Sequence, residues 1–205
     1  WNQFNIDPNE LVRFVQPGSE SVALNRITGA DPSAILGALS ANGRVFLINP
    51  NGILFGVNAT VDVSGLLATT MDINNADFMA GNDLFSGAGG TIINRGRIKV
   101  ADNGFVFLVA PGVKNEGLIV AHLGRVVLGS GERMTIDFMG DGLLQYAIDG
   151  KVLNQVAGQD GTPLAAAVDN QGTIIADGGE VVLTARASSD ILGTAINQTG
   201  VIRAN

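Results

Sequence analysis

The chain contains no cysteine. Disulfides, thiolate-bound zinc and thiol catalysis are therefore excluded. The absence also suits a chain that crosses an oxidising compartment unfolded, where a disulfide would close loops too early. Histidine occurs once, at His122, so any Ser-His-Asp arrangement would have to use it and a metal site could draw on a single imidazole. Aromatic residues make up 5% and charged residues 15% of the chain, the latter well below the usual quarter. Twelve Lys and Arg stand against 19 Asp and Glu, for a formal net charge of -7. Without clustered cations to meet phosphates, nucleic acid and an anionic membrane surface are not expected as partners. No apolar run reaches the roughly 18 residues of a membrane-spanning helix. No charged-then-apolar leader is visible, and Trp1-Asn2-Gln3-Phe4 is read as mature sequence whose upstream part has been removed.

What is abundant is glycine, 28 of 205 residues, in a chain that is 46% hydrophobic. Many glycines with Val, Ile, Leu and Ala suit short strands joined by tight turns rather than a thick globular core. One unit recurs: Asn, a residue or two, Gly, then alternating apolar residues. It stands at Asn94-Arg95-Gly96-Arg97-Ile98, Asn115-Glu116-Gly117-Leu118-Ile119, Asn170-Gln171-Gly172-Thr173-Ile174 and Asn197-Gln198-Thr199-Gly200-Val201. A second strand follows each of the first three, beginning at Gly104-Phe105, Gly124-Arg125 and Gly179-Glu180. Spacings of 21 residues (Asn94 to Asn115) and 27 (Asn170 to Asn197) are coil lengths of a β-solenoid. The 55 residues from Asn115 to Asn170 leave room for an insertion.

The first half follows the same scheme. Apolar alternation at Ile35, Gly37, Leu39, then Val45, Leu47, then Ile53, Phe55, then Val61, Val63 is broken by Ser40-Ala41-Asn42-Gly43, Asn49-Pro50-Asn51-Gly52 and Gly56-Val57-Asn58. Strand starts roughly every 8 to 10 residues give three faces per coil, with every second side chain inward. Gly and Asn at the corners tolerate a left-handed backbone. Asp31-Pro32-Ser33 could instead cap a helical turn through Leu39, and a β-sandwich also spaces strands this way. A sandwich gives no reason for Asn-x-Gly-x-Ile to repeat in phase. Excursions from the solenoid are expected near 72–90 and within 132–168. In the second, Met134–Phe138 and Leu143–Ile148 alternate around the turn Met139-Gly140-Asp141-Gly142, a hairpin lying on the solenoid's flank. Asn94, Asn115, Asn170 and Asn197 should occupy equivalent, stacked corners whose amides satisfy one another.

Hidden chemistry finds little support. The best carboxylate cluster for a polysaccharide lyase or hydrolase is Asp137, Asp141 and Asp149, but Asp141 before Gly is a turn residue. His122 belongs to a solvated corner. Asn58-Ala59-Thr60 and Asn197-Gln198-Thr199 match the glycan-acceptor pattern, which corner Asn explains equally. No cofactor is expected.

The run Arg26-Ile27-Thr28-Gly29-Ala30-Asp31-Pro32-Ser33, continuing through Ala41-Asn42-Gly43-Arg44-Val45-Phe46-Leu47-Ile48-Asn49-Pro50-Asn51-Gly52-Ile53-Leu54-Phe55-Gly56, resembles the two-partner-secretion domain of filamentous-haemagglutinin-type exoproteins. So do Met134–Phe138 with Gly140–Leu143, and Gly178–Ala185. The resemblance implies an all-β chain, a right-handed parallel three-faced β-helix with extra-helical hairpins. It implies a secretion and folding-nucleus module of a surface adhesin, not an enzyme. Its partner would be an outer-membrane transporter of the TpsB/Omp85 type with periplasmic POTRA domains. Asn42, Gly43, Asn49, Pro50, Asn51 and Gly52 are the expected recognition motif. Direct binding to a host surface or glycan, and self-association through open helix ends, are further expectations. The family's domain normally begins earlier, so an N-terminal cap is expected to be missing. Trp1–Ile6 and Val201–Asn205 would then be ordered mainly by another chain or a covering segment.

Overall fold

The computed structural model describes residues 1–87, 89–137, 145–150, 152, 157–158, 161–186 and 194–205. The first coil comprises β1 (Leu11–Phe14), β2 (Val22–Arg26) and β3 (Ser33–Ile35). The second comprises β4 (Ala38–Ala41), β5 (Arg44–Ile48) and β6 (Ile53–Phe55). After β7 (Thr60–Val63) and β8 (Gly65–Thr69) the chain leaves for β9 (Asp72–Ile73), α1 (Asn75–Ala80) and β10 (Asp83–Ser86), then returns as β11 (Thr91–Asn94). The fourth coil is β12 (Arg97–Val100), β13 (Phe105–Ala110) and β14 (Gly112–Asn115). Then β15 (Leu118–Val120) and β16 (Arg125–Ser130) lead to a second excursion, β17 (Arg133–Asp137) and β18 (Gln145–Asp149), before β19 (Ala166–Asn170). The described chain closes with β20 (Thr173–Ile175), β21 (Glu180–Ala185), β22 (Thr194–Gln198) and β23 (Val201–Arg203).

Leaving out the four excursion strands β9, β10, β17 and β18, every third strand joins the same sheet. The first sheet is β1-β4-β7-β12-β15-β20-β23, the second β2-β5-β8-β13-β16-β21 and the third β3-β6-β11-β14-β19-β22, with parallel pairing throughout. This is a right-handed, three-faced parallel β-helix, the hand favoured for parallel crossovers. Asp31–Leu39 contains strands β3 and β4, not a helical turn. Short strands form because Gly and Asn interrupt the chain at each corner. Glycine is required there by close approach: a Cβ on Gly117 would lie 2.1 Å from the Gly96 carbonyl oxygen, and one on Gly172 would lie 2.2 Å from that of Gly117.

The inward residues of all three sheets form one core, including Val45, Leu47, Ile53, Phe55, Ile98, Val106, Leu108, Ile119 and Val126. A second core lies outside the helix. Strands β9, β10, β17 and β18 form one antiparallel sheet, in the order β18-β17-β10-β9, so the two excursions merge into a single covering sheet. Phe85, Met134, Ile136 and Ile148 of this sheet pack on Phe46, Ile48, Leu67, Phe105, Phe107 and Val109 of the second sheet. The second sheet is thus covered on both faces, which is why Phe105–Ala110 is buried at every position rather than alternating as the sequence reading supposed. Aromatics gather here: Phe46 lies 6.4 Å from Phe85 and 6.5 Å from Phe105, and Phe107 lies 5.3 Å from Tyr146, centroid to centroid.

Other details differ from the sequence expectation. The first excursion contains a short helix that the sequence reading left out, capped by Asn74, whose side chain accepts from the Ala76 N–H at 2.7 Å, and by Gly81 at φ 74°. The turn at Met139–Gly142 lies outside the described residues. Trp1–Ile6 is held by this chain's own groups. Thr28 and Gly29 N–H donate to the carbonyls of Trp1 and Asn2, Ile6 bridges to Ile35 in parallel, and Phe4 and Ile6 are in the core. Alternation of Phe4 and Ile6 turns both inward, so no second chain is needed to order them. At the other end Ala176 and Gly178 N–H donate to the carbonyls of Arg203 and Asn205, and Val201 is 59% exposed.

Candidate recognition corner

The motif residues sit at the two ends of β5. Asn42 and Gly43 form the corner before it, Asn49–Gly52 the corner after it. Asn42 Nδ2 donates to the Gln16 carbonyl at 2.7 Å, and its Oδ1 accepts from the Gln16 N–H at 2.7 Å. This two-way amide pairing ties the second coil to the loop between β1 and β2. A Cβ on Gly43 would meet the Gln16 amide at 2.6 Å, because that side chain folds over the corner to donate to the Ser21 and Arg44 carbonyls.

At the second corner the Gly52 N–H donates to the Asn49 carbonyl at 3.1 Å, closing a β-turn over Pro50 and Asn51. Gly52 adopts φ 116°, which glycine alone tolerates easily. Asn49 is fully buried. Its Nδ2 donates to the Asp31 carbonyl and Ser33 Oγ, both at 3.0 Å, and its Oδ1 accepts from the Asn51 N–H at 2.9 Å. Asn51 is exposed, yet its Nδ2 donates to the Gly29 carbonyl at 2.8 Å. Below the turn the Gly90 N–H donates to the Pro50 carbonyl at 2.7 Å. The corner therefore locks three layers together: residues 29–33 above, the turn itself, and the end of the first excursion beneath. Of the side chains in this turn, those of Pro50 and Asn51 face solvent. Phe46 and Ile48 are sealed under the covering sheet, and Leu47 points into the helix core.

Arg26 is a holding residue that sequence reasoning missed. Its Nε meets Asp72 Oδ1 at 2.6 Å, Nη1 donates to Asn75 Oδ1 at 2.6 Å and Nη2 donates to the Ile73 carbonyl. It pins the first excursion to the first coil. No local pattern announces this, since the partners lie more than 45 positions away, and the same distance problem hid Gln16.

The corner amides form a ladder. Asn94 Nδ2 donates to Asn115 Oδ1 at 2.8 Å, Asn115 Nδ2 to Asn170 Oδ1 at 2.7 Å, and Asn170 Nδ2 to Gln198 Oε1 at 2.7 Å. The last rung is Gln198, not Asn197. Three of the repeats read Asn-x-Gly, but Asn197 stands three residues before Gly200, and the register aligns Asn170 with Gln198 and Asp169 with Asn197. Asn197 Nδ2 donates to Asp169 Oδ1 at 2.8 Å instead.

The residues weighed for catalysis do not assemble. Asp137 pairs with Gln145 and Asp149 with Arg133, so the two carboxylates stand at opposite ends of the hairpin, roughly 13 Å apart at about 3.4 Å per residue. Asp141 lies outside the described residues. His122 Nδ1 is 3.8 Å from Asp177 Oδ2 in a partly exposed corner. Arg203 donates to both oxygens of Asp177, at 2.9 and 2.7 Å, and holds that carboxyl below the usual range. Among the described residues no group of three or more His, Asp or Glu could hold a metal, and no helix is long and apolar enough to cross a membrane. Asp83 is the outlier: burial first, then the nearby Asp137 charge, raises its pKa to about 6.

The family model of the TPS secretion domain matches residues 1–205. The chain belongs to the TPS secretion domain family. The TPS domain is 36% identical over 203 residues to a heme/hemopexin-binding protein of Haemophilus influenzae strain Rd, with 94% of this chain and 21% of that protein covered. A second Haemophilus influenzae heme/hemopexin-binding protein is 47% identical over 73 residues, covering 36% of this chain and 8% of that one. The chain therefore spans about a fifth or less of these relatives. The crystal structure of the HMW1 secretion domain from Haemophilus influenzae is similar at a TM-score of 0.76 and 34% identity, over 98% of this chain and 57% of that one. The Arg26–Ser33 and Ile35–Gly56 runs that carried the resemblance contain two of the three layers that interlock around Asn49. TPS-domain proteins are secreted via the periplasm and imply a TpsB outer-membrane transporter as partner.

Proposed function

We propose that this TPS domain is the part of a large surface adhesin that the transporter's POTRA domains grasp, and the nucleus on which the secreted chain folds. One observation carries the reading. In the fold, every apolar side chain of Val45–Ile48 is buried, and Asn49 spends its amide on the layer above. A partner that reads Phe46, Leu47 and Ile48 must do so before folding, with an extended segment adding as a strand to a sheet edge. Recognition and folding then compete for the same residues, and folding outside the cell withdraws the segment from the transporter. Asn42, Gly43 and Asn49–Gly52 mark the ends of that segment.

The test separates the two roles by exposure. Pro50→Ala alters a side chain that faces solvent, so it should cut secretion in cells at least tenfold while leaving refolding of the purified domain nearly unchanged. Equal loss in both assays would reduce the corner to a turn. Intact secretion with a destabilised fold would exclude it as the transporter's signal.

A further inference from the structure

The two stretches that match the acceptor pattern for asparagine-linked sugars differ in the folded chain. Asn197 spends its amide: Nδ2 donates to Asp169 Oδ1 at 2.8 Å, and Asp169 is itself buried. A sugar on that nitrogen would displace the bond. Asn58 has no such duty. Among the described residues neither its amide nor the Thr60 hydroxyl has a hydrogen-bond partner, and both residues are exposed.

The corner that contains Asn58 is also out of step with the helix. Five other corners lead from the third sheet to the first over two residues each, as at 36–37 and 95–96, whereas this one takes four, 56–59. The stack runs only through its ends. Gly56 N–H donates to the Ile35 carbonyl, Arg97 N–H donates to the Ala59 carbonyl, and Ala59 N–H closes a turn on the Gly56 carbonyl at 2.9 Å. Val57 and Asn58 are the central pair of that turn, with Val57 75% exposed. The other coils stack without such a pair, so the stack does not account for it. Ala59 is in the core, which puts Asn58 and Thr60, two positions apart, together on the solvent side. They line a groove of about 370 Å³ with Glu10, Leu11, Leu36 and Ala38. Apolar side chains beside a carboxylate suit a pyranose ring, its C–H face on the former and its hydroxyls on the latter.

We propose that Asn58 is the acceptor for an asparagine-linked glycan whose first sugar lies along this groove. In the transfer, Nδ2 forms a bond to C1 of the sugar and the bond from C1 to the phosphate of a diphosphate-activated donor breaks. The diphosphate leaves and the amide gives up one proton. The Thr60 hydroxyl stands where the acceptor pattern requires it. The corner joins the third and first sheets, away from the second sheet and its cover. A bulky, solubilising group there leaves the coils free to stack, whether it is attached before folding or after. The inference is independent of how the transporter reads the chain.

The protein is purified from the cells that naturally make it, and the peptides that contain Asn58 and Asn197 are analysed by mass spectrometry. The Asn58 peptide should carry sugar on its asparagine and the Asn197 peptide none. Thr60→Ala should lower occupancy of Asn58 at least tenfold, Thr60→Ser should retain it, and Asn58→Gln should abolish it. Hexoses added one at a time indicate a nucleotide-linked donor and a fixed oligosaccharide a lipid-linked one; either supports the site. A bare Asn58 in the natural protein would overturn the inference, as would sugar that survives Thr60→Ala. Chain made without glycosylating enzymes should unfold at the same urea midpoint as its Asn58→Gln variant. A lower midpoint for the variant would mean that the amide serves the turn, and would overturn the inference too.

Discussion

Strands β7 and β12 of the first sheet turn Val61, Val63, Ile98 and Val100 inward and leave Thr60, Asp62, Arg97 and Lys99 in solvent. Strand β13, next in the same coil as β12, is buried at every position. The two sheets share coils, corners and parallel register, so the difference does not come from the helix itself. It comes from the covering sheet, which lies on the second sheet and turns an ordinary solvent face into a second core. A solenoid face is thus cheap to make polar and costly to uncover, and the covered face is the one that contains β5.

The largest expected effect is on that covered face. Phe107 is fully buried between Phe105 and Tyr146. Phe107→Ala should cost about 3–5 kcal/mol, whereas Lys99→Ala on the open face should stay within about 0.5 kcal/mol. Urea denaturation of both variants measures the contrast, and equal losses would mean that the covering sheet adds no core. Next come the corners common to both sheets. Asn115→Leu breaks two rungs of a buried amide ladder and should cost roughly 1–3 kcal/mol. Asn197→Ala, beside the ladder, should cost less than half as much. An unchanged denaturation midpoint for Asn115→Leu would remove the ladder's role.

The smallest effect is the pH response of the covering sheet. Folding raises the Asp83 pKa from 3.8 to about 6, so the folded state binds the proton more tightly than the unfolded one. The contribution of this carboxyl to stability is then greatest below about pH 4, falls as pH rises toward 6, and is level above it. At about 1.36 kcal/mol per unit, reduced for partial solvation of the group, the fall is about 1–2 kcal/mol. Asp83→Asn should abolish this slope and be more stable than wild type at pH 7. A variant that tracks wild type across pH 4–6 would place the carboxyl in ordinary solvent.

Much of the helix was legible in the chain. Asn-x-Gly in phase announced corners, because a Cβ cannot fit against the carbonyl of the coil below and a side-chain amide can pair with its own kind. Alternation placed Ile98 and Ile119 inward. The same counting misassigned Asn197, since registration follows the glycine, where backbones touch, and the Asn-to-Gly interval lengthens by one residue in that repeat. The Asn49–Gly52 turn was readable from its residue types. Its burial was not, because Asp31, Ser33 and Gly90 come to it from other coils.

The sequence by itself determined the coil. Glycine, asparagine and two-residue alternation are local devices, and parallel stacking repeats them without further instruction. Only the tertiary structure decided that β9 and β10 of one excursion and β17 and β18 of the other are one sheet. Backbone pairing between β10 and β17 is set by which apolar face each must cover. That face exists only after five coils have stacked Phe46, Leu67, Phe107 and Val127 side by side.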